Sequence, residues 1–239
     1  MLILGFGREG KSVYKYFRKQ NTDNHITIAD INPNIIEDEC LIGDKNIDFI
    51  LGNDYLDKIF NTQSFENELI IKSPGIALKN YLENSLPHKI ASSTKTDLPF
   101  HFQFKITSST DIFLQKYAQQ IIGITGTKGK STTTSLIYHI TKKQTDNVLL
   151  VGNIGKPALD YVEQINAETI IVFELSSHQL EFLQKAPHIS ILLNIFEEHL
   201  DHYNSYHDYQ KAKWNIAAKQ GKDDFFIVNE DDELLRAWL

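Results

Sequence analysis

The residues best suited to chemistry in this sequence lie in the stretch Ile121–Thr132, which reads IIGITGTKGKST. An apolar run leads into glycines and small hydroxyl residues, and a helical pattern follows. Glycines let backbone N–H groups turn toward an anion, and a helix N-terminus adds a partial positive charge. The stretch therefore predicts a phosphate-binding loop in which Lys130 reaches the outer phosphates of a nucleotide and the Ser131 hydroxyl binds Mg²⁺.

The spacing of this loop departs from the standard Walker pattern, because Ile124 stands where that pattern has its first glycine. An ordinary glycine-rich turn between a strand and a helix is the alternative. The order Gly-Lys-Ser between an apolar strand and a helix favours the phosphate loop. The predicted nucleotide-binding residues are Gly126, Thr127, Lys128, Gly129, Lys130, Ser131 and Thr132.

A second glycine turn lies near the N-terminus, where Gly5, Gly7 and Gly10 follow the apolar residues Leu2–Leu4. Asp30 comes twenty residues after the last of these glycines, at the end of the next predicted strand. This pattern predicts a βαβ unit with a phosphate at the helix N-terminus and the acid facing a ribose or base. Glycines that serve only helix–strand packing would give the same pattern.

Further polar residues follow predicted strands. Ser73, Pro74 and Gly75 follow one, at the end of a sheet where open α/β proteins bind ligands, although a plain turn is equally compatible. Glu174 ends an apolar strand, where a carboxylate is costly unless it is paired or binds a metal. His199 follows another apolar strand, and the two side chains could hold a second Mg²⁺ beside a nucleotide.

Not every polar residue near these strands needs a chemical role. A single His199 or Glu198 is more simply a solvated loop residue, whereas Glu174 together with the phosphate loop favours a metal site. Lys213 is predicted to be a surface lysine, because nothing in its spacing distinguishes it.

Composition narrows the class of protein. The 239 residues are 41% hydrophobic and 23% charged, which is typical of a globular chain with a substantial core. The net charge of −7 argues against a nucleic-acid-binding surface, but it allows a local nucleotide site. Cys40 is the single cysteine, so no internal disulfide forms, and a reducing cytoplasmic location is expected. No apolar run approaches a membrane span, and the short apolar N-terminus is expected to be a strand rather than a signal peptide.

Strand and helix patterns alternate through both halves of the chain, which predicts parallel, doubly wound sheets. The fold class is α/β, with a Rossmann-like domain over residues 1–107 followed by a P-loop-type domain over residues 108–239. The less regular predictions are a strand His88–Ala91, a hairpin or loop over Ser92–Lys105, a helix after Pro157, a strand His188–Ile195 and a helix Tyr206–Lys219.

Taken together, these motifs resemble the Mur ligases, the ATP-dependent amide-forming enzymes of peptidoglycan precursor synthesis. The resemblance covers essentially the whole chain. It rests on the phosphate loop and on motifs that follow it in the family's order. These are Gly152-Asn-Ile-Gly155, Glu174-Leu-Ser-Ser-His-Gln-Leu180, the Asn194 to Asp201 segment and Ala212-Lys213. Within the family, the N-terminal glycine turn with Asp30 and the Ser73-Pro-Gly-Ile76 loop resemble the branch that adds D-glutamate.

The resemblance implies roles for individual residues. The first domain would bind UDP-N-acetylmuramoyl-L-alanine rather than NAD, with Asp30 near the uracil. Lys130, Glu174, His199 and Lys213 would be catalytic, with Ser131 and Glu174 on one Mg²⁺. Glu174, His199 and a carbamylated Lys213 would serve the second. The residues implied to contact the UDP substrate are Gly5, Gly7, Gly10, Asp30, Ser73, Pro74, Gly75, Asn153, Ser176 and Gln179.

The same resemblance implies an ATP-dependent ligase that joins D-glutamate to its substrate through an acyl phosphate, acting as a cytoplasmic monomer. Two features depart from the family pattern. Glu198 stands where the family usually has aspartate, and the chain ends within the implied middle domain. We therefore expect a fragment without the C-terminal domain and the D-glutamate site, which does not ligate D-glutamate alone. Open alternatives are a Mur ligase that adds L-alanine or a diamino acid, an NAD-dependent oxidoreductase, and a non-catalytic nucleotide binder.

Overall fold

The computed structural model describes residues 1–61, 65, 68–82 and 105–237. Within these ranges the chain forms two five-stranded sheets in which every paired strand is parallel. This arrangement confirms the predicted α/β class. We refer to residues 1–108 as the first half and to residues 109–237 as the second half.

The first sheet has the strand order β3-β2-β1-β4-β5. Its strands are short, and β1 at the centre is fully buried because helices and loops cover both faces. The strands are β1 (Leu2–Leu4), β2 (Ile26–Asp30), β3 (Ile47–Leu51), β4 (Leu69–Lys72) and β5 (Lys105–Ser108). The helices are α1 (Arg8–Gln20), α2 (Tyr55–Phe60) and α3 (Lys79–Leu82), with 3₁₀ turns at Pro33–Glu37 and Glu39–Leu41.

The second sheet has the order β10-β9-β6-β8-β7, with the strand before the phosphate loop at its centre. Its strands are β6 (Ile121–Thr125), β7 (Val148–Gly152), β8 (Ile170–Glu174), β9 (Ile189–Leu192) and β10 (Phe225–Val228). The helices are α4 (Ser109–Tyr117), α5 (Lys130–Lys142), α6 (Ser177–Leu180), α7 (Tyr206–Trp214) and α8 (Glu233–Arg236). The 3₁₀ segments are Ala118–Gln120 and Ala158–Gln164.

Three predicted elements differ from the structure, namely the helix after Pro157, the strand His188–Ile195 and the helix Tyr206–Lys219. The helix after Pro157 is a 3₁₀ helix, closed by bonds such as the one from the Asp160 N–H to the Pro157 carbonyl. The strand predicted as His188–Ile195 ends at Leu192, because the following residues turn to the phosphate loop. The predicted strand His88–Ala91 and most of the segment Ser92–Lys105 lie outside the described residues.

The helix predicted to reach Lys219 ends at Trp214, and tertiary hydrogen bonds explain the early end. The carbonyl of Ile216 accepts a bond from Ser190 Oγ at 2.7 Å. The side-chain amide of Asn215 donates to the carbonyl of Leu180 at 3.0 Å. The Ser190 hydroxyl thus occupies a carbonyl that a continuing helix would use, and residues 215–219 form turns instead.

The two halves share one apolar cluster, which contains residues of β1 and α1 as well as residues of β8 and α4. Phe113 of α4 is fully buried, and its ring meets that of Phe173 edge to face at 5.8 Å between centroids. Ser108 caps α4 by accepting the Asp111 N–H, as the run of N-capping residues predicts. The predicted boundary after residue 107 stays a prediction.

Of the helices in the described ranges, none combines the length and the apolar character that crossing a lipid bilayer requires.

Candidate functional site

The predicted phosphate loop connects β6 to α5. Gly126 has φ +157° and Gly129 has φ +84°, a region that side chains with a Cβ adopt rarely. A Cβ on Gly126 would also lie 3.0 Å from the Leu193 Cβ. Gly129 is the N-cap of α5, so the free backbone N–H groups of the helix start directly after the loop. The loop therefore has the backbone that an anion cradle needs.

Asn194, which follows β9, fixes the shape of this loop. Its side chain accepts the Lys128 N–H at 2.9 Å and donates to the Lys128 carbonyl at 3.0 Å, and its carbonyl accepts the Thr127 N–H. The Thr127 hydroxyl is buried against the hydroxyl of Tyr209 at 2.9 Å. The sequence did not assign Asn194 a role, although its place after a strand beside β6 was a usable signal.

Lys213 is 1% exposed, so the prediction of a surface lysine is wrong. Its Nζ donates to the Gly126 carbonyl at 2.8 Å and lies 4.9 Å from the Tyr209 ring centroid. Burial, with the positive charge of Lys130 as a second cause, lowers the pKa of Lys213 to about 7. At neutral pH a substantial fraction of this amine is consequently uncharged.

Lys130 lies against the same loop. Its Nζ donates to the carbonyls of Gly126 and Thr127 at 2.9 and 3.0 Å. Two lysine side chains, Lys130 and Lys213, therefore share the Gly126 carbonyl as an acceptor. Ser131 and Thr132 are exposed in the first turn of α5.

Glu174 at the end of β8 is completely buried. One carboxylate oxygen accepts the Asn153 amide at 2.9 Å, and the other has no hydrogen-bond partner. Its strand is paired with β6 so that Glu174 stands opposite Ile124, just before the phosphate loop. An unpartnered buried carboxylate oxygen is the donor type that Mg²⁺ takes, so this residue fits the predicted metal.

His199 has φ +59°, the single positive value among the described residues other than glycine. Its ring lies near those of His178 and Tyr209, at 4.9 and 5.9 Å between centroids. The neighbouring Glu198 accepts a bond from Lys128 Nζ at 3.0 Å, and that bond is the main cause of its lowered pKa. Glu198 thus pairs with the phosphate loop, and its second carboxylate oxygen lies 3.7 Å from His199 Nε2.

The residues of the described ranges contain no group of three or more His, Cys, Asp or Glu side chains placed to hold a metal ion. Glu174 is chemically suited to bind the first predicted Mg²⁺. Binding of a second Mg²⁺ by Glu174, His199 and a carbamylated Lys213 stays a prediction.

The glycine turn of the first half is held by Asp30 and Ser73. One Asp30 oxygen accepts the Phe6 N–H at 2.6 Å, and the other accepts the Asn32 N–H at 2.8 Å. The Ser73 hydroxyl donates to the carbonyl of Gly5, which has φ +86°. Asp30 therefore shapes the turn as well as lining the space in front of it.

Ser176 and Gln179 form a capping box at the start of α6. The Ser176 hydroxyl accepts the Gln179 N–H, and the Gln179 side chain accepts the Ser176 N–H at 3.0 Å. Gln179 Nε2 also reaches Glu9 of the glycine turn at 3.5 Å. Burial is the main cause of the raised pKa of Glu9, which in addition accepts the Ser109 hydroxyl at 2.6 Å.

One cavity of about 680 Å³ brings many of these residues together from both halves. The predicted site residues that line it are Gly5, Gly7, Asp30, Ser73, Pro74, Gly75, Lys130, Asn153, Ser176, Gln179 and His199. Gly10, Ser131, Glu174 and Lys213 do not line it. Asn153 connects the cavity to Glu174 through its amide. We call this space the interhalf cavity.

Comparison with known proteins agrees with these features. Residues 124–239 match the family model of the Mur ligase middle domain. The UDP-N-acetylmuramoylalanine–D-glutamate ligase of Listeria innocua is 35% identical over 99% of this chain and 48% of its own length. The enzyme of the same name from Bacillus pumilus is 34% identical over 97% of this chain and 48% of its own.

Among solved structures, a UDP-N-acetylmuramate:L-alanyl-gamma-D-glutamyl-meso-diaminopimelate ligase from Neisseria meningitides has a TM-score of 0.52 at 14% identity. The match covers 99% of this chain and 72% of that one, and at this identity it speaks for the fold alone. The chain spans about half the length of the curated relatives it matches.

Proposed function

We propose that this chain, whose residues 124–239 match the model of the Mur ligase middle domain, forms the substrate- and ATP-binding part of a UDP-N-acetylmuramoylalanine–D-glutamate ligase. The observation that carries the proposal is the interhalf cavity. It joins the glycine turn of the first half to Lys130 of the phosphate loop. An enzyme that phosphorylates one ligand with another needs both in such a shared space.

In the proposed reaction, an oxygen of the alanyl carboxylate of UDP-N-acetylmuramoyl-L-alanine attacks the γ-phosphorus of ATP, and ADP leaves. The amine of D-glutamate then attacks the acyl carbon, phosphate leaves, and the amine gives up a proton. Lys130 and the N–H groups of the loop bind and orient the phosphates as charge develops. The glycine turn and Ser73 hold the UDP part, while Asn153, Ser176 and Gln179 contact the muramoyl part.

Mg²⁺ supplies charge neutralisation on the phosphates in this scheme. Ser131 and Glu174 are the proposed ligands of the first ion, and the unpartnered oxygen of Glu174 supports that role. Asn153 orients the same carboxylate through its other oxygen.

Lys213 is the proposed site of a carbamate that serves the second metal ion. An uncharged amine attacks CO₂, forms an N–C bond and releases a proton, so that the lysine becomes an anion. The pKa of about 7 supports this chemistry, because the reactive free amine is abundant at neutral pH and above.

We predict that the chain incubated with ¹³C-bicarbonate above pH 7 shows a carbamate carbon signal in NMR spectra. The signal should weaken as the pH falls below the pKa of Lys213, because the protonated amine does not attack CO₂. The Lys213→Met variant should lose the signal. The Lys211→Met variant is the control, since Lys211 is exposed on the same helix. A signal that survives in Lys213→Met contradicts the assignment.

The proposed function is tested by calorimetric titration of the chain with UDP-N-acetylmuramoyl-L-alanine, ATP with Mg²⁺, and NADH. We expect binding of the first two and none of NADH. Asp30→Asn should weaken binding of the UDP ligand and leave binding of ATP unchanged, because Asp30 lies in the first half. Binding of NADH in place of the UDP ligand would favour an oxidoreductase and contradict the proposal.

A further inference from the structure

Lys72 is a buried cation that the proposed reaction does not use. It ends β4, directly before the Ser73–Gly75 loop, and its side chain is 1% exposed. Its Nζ donates to Glu181 Oε2 at 2.9 Å and to the Pro74 carbonyl at 3.2 Å. Burying an ammonium costs several kcal/mol unless it is paired, so Glu181 of the second half is required to keep Lys72 in place.

Glu181 connects this pair to a third residue. Its Oε1 lies 2.6 Å from His202 Nε2, so the carboxylate is held at both oxygens. Burial raises the pKa of Glu181, but the bond from His202 and the charge of Lys72 outweigh it and bring the pKa below its usual value. The carboxylate is therefore the ionised centre of the set. We call Lys72, Glu181 and His202 the relay.

Each end of the relay lies next to a wall of the interhalf cavity. On one side, Lys72 fixes the Pro74 carbonyl in the loop that lines the cavity. On the other, the N–H groups of His202 and Tyr203 both donate to the carbonyl of His199, which lines the cavity from the second half. The backbone of His199 has the positive φ noted above, so neighbouring contacts must hold it there.

We propose that Glu181 is a positioning residue that couples the Ser73–Gly75 loop of the first half to the His199 segment of the second half. The coupling sets the distance between the two walls of the interhalf cavity. A ligand that contacts both walls depends on it, whereas a ligand of the phosphate loop alone does not. The part of the proposal that names the ligand, UDP-N-acetylmuramoyl-L-alanine, rests on the proposed function.

The first test needs no ligand. Amide hydrogen exchange is measured in the 239-residue chain and in Glu181→Gln, with attention to the N–H groups of Ile76, His202 and Tyr203, which are hydrogen bonded in the two segments. We expect about tenfold faster exchange in both segments at once. A second tie, from Lys79 Nζ to the Asp201 carbonyl at 2.7 Å, remains and keeps the halves joined.

Glu163→Gln is the matched control. Glu163 also forms an ion pair between the halves, with Lys19 at 2.7 Å. Both side chains are exposed, Lys19 to 65% and Glu163 to 74%. The same chemical change should leave exchange in both segments as in the wild type. Faster exchange at only one segment in Glu181→Gln, or equal effects in the control, would overturn the coupling.

A double variant guards against a Glu181→Gln protein that fails to fold. Lys72→Met with Glu181→Met removes both charges, and replacing a buried ion pair by apolar side chains often leaves stability unchanged. We expect this variant to fold and still to show faster exchange in both segments. Wild-type exchange in the folded double variant would contradict the proposal.

The second test measures binding. Glu181→Gln should lower the affinity for UDP-N-acetylmuramoyl-L-alanine about tenfold and leave the affinity for ADP unchanged, since only the first ligand contacts both walls. Equal losses for both ligands would indicate general destabilisation and overturn the proposal. If the wild type binds ADP but not the UDP ligand, the proposed function fails, and the exchange experiment decides the coupling independently.

Discussion

Gly10→Ala is expected to lower the free energy of unfolding by about 3 kcal/mol, whereas Gly7→Ala is expected to change it by less than about 1 kcal/mol. A Cβ on Gly10 would lie 2.0 Å from the Gly5 carbonyl oxygen and 3.0 Å from its carbon. Both are backbone atoms of the turn and cannot rotate away. A Cβ on Gly7 meets nothing within 4 Å, and its φ of −73° suits any residue.

Urea denaturation followed by circular dichroism measures this difference. Titration with the UDP ligand adds a second reading, because Gly7 lines the interhalf cavity and Gly10 does not. Gly7→Ala should weaken binding of that ligand while the fold stays intact. Equal stability losses for the two variants would contradict the contact geometry around Gly10.

Glu174→Gln is expected to have opposite effects on stability and on metal-dependent binding. The glutamine side chain has the same shape and can keep the hydrogen bond from Asn153. The substitution removes the negative charge of a buried carboxylate, one of whose oxygens has no hydrogen-bond partner. The metal-free protein should gain about 1 kcal/mol of stability, because desolvating an amide costs less than desolvating a carboxylate. The enhancement of ATP binding by Mg²⁺ should fall by at least about tenfold, since a neutral oxygen is a weaker ligand.

Calorimetry with ATP in the presence of Mg²⁺ and in its absence separates the two effects. Binding without Mg²⁺ should be unchanged, because the loop and Lys130 are intact. Glu198→Gln is the matched control: this carboxylate is less buried and pairs with Lys128, and we assign it no metal. If Mg²⁺ enhances ATP binding as strongly in Glu174→Gln as in the wild type, the assignment of Glu174 as a metal ligand is contradicted.

The local patterns of the sequence predicted much of this structure. The loop before α5 was predicted from Gly126, Gly129 and Lys130, and the turn before α1 was predicted from the glycines near the N-terminus. Such motifs depend on neighbours within a few residues, so spacing alone reveals them. The two interpretations of the N-terminal glycines concern different residues: Gly10 packs against the Gly5 carbonyl, whereas Gly7 borders the cavity and its phosphate contact stays a prediction.

Element ends were less predictable where distant partners decide them. β9 ends at Leu192 because Asn194 is used by the phosphate loop, and α7 ends at Trp214, two residues before a carbonyl that Ser190 of β9 occupies. Hydrophobic periodicity continues past both points, so the sequence alone favours longer elements.

The sequence by itself determined the two α/β units, the phosphate loop and the costly position of Glu174, since each follows from residue type and spacing. Only the tertiary structure decided that Lys213 is buried on the Gly126 carbonyl, 87 positions away, and that Lys72 pairs with Glu181, 109 positions away. The physical reason is that burial and charge pairing depend on which surfaces meet. A lysine on a helix has the same local pattern whether its face is solvated or covered by another element.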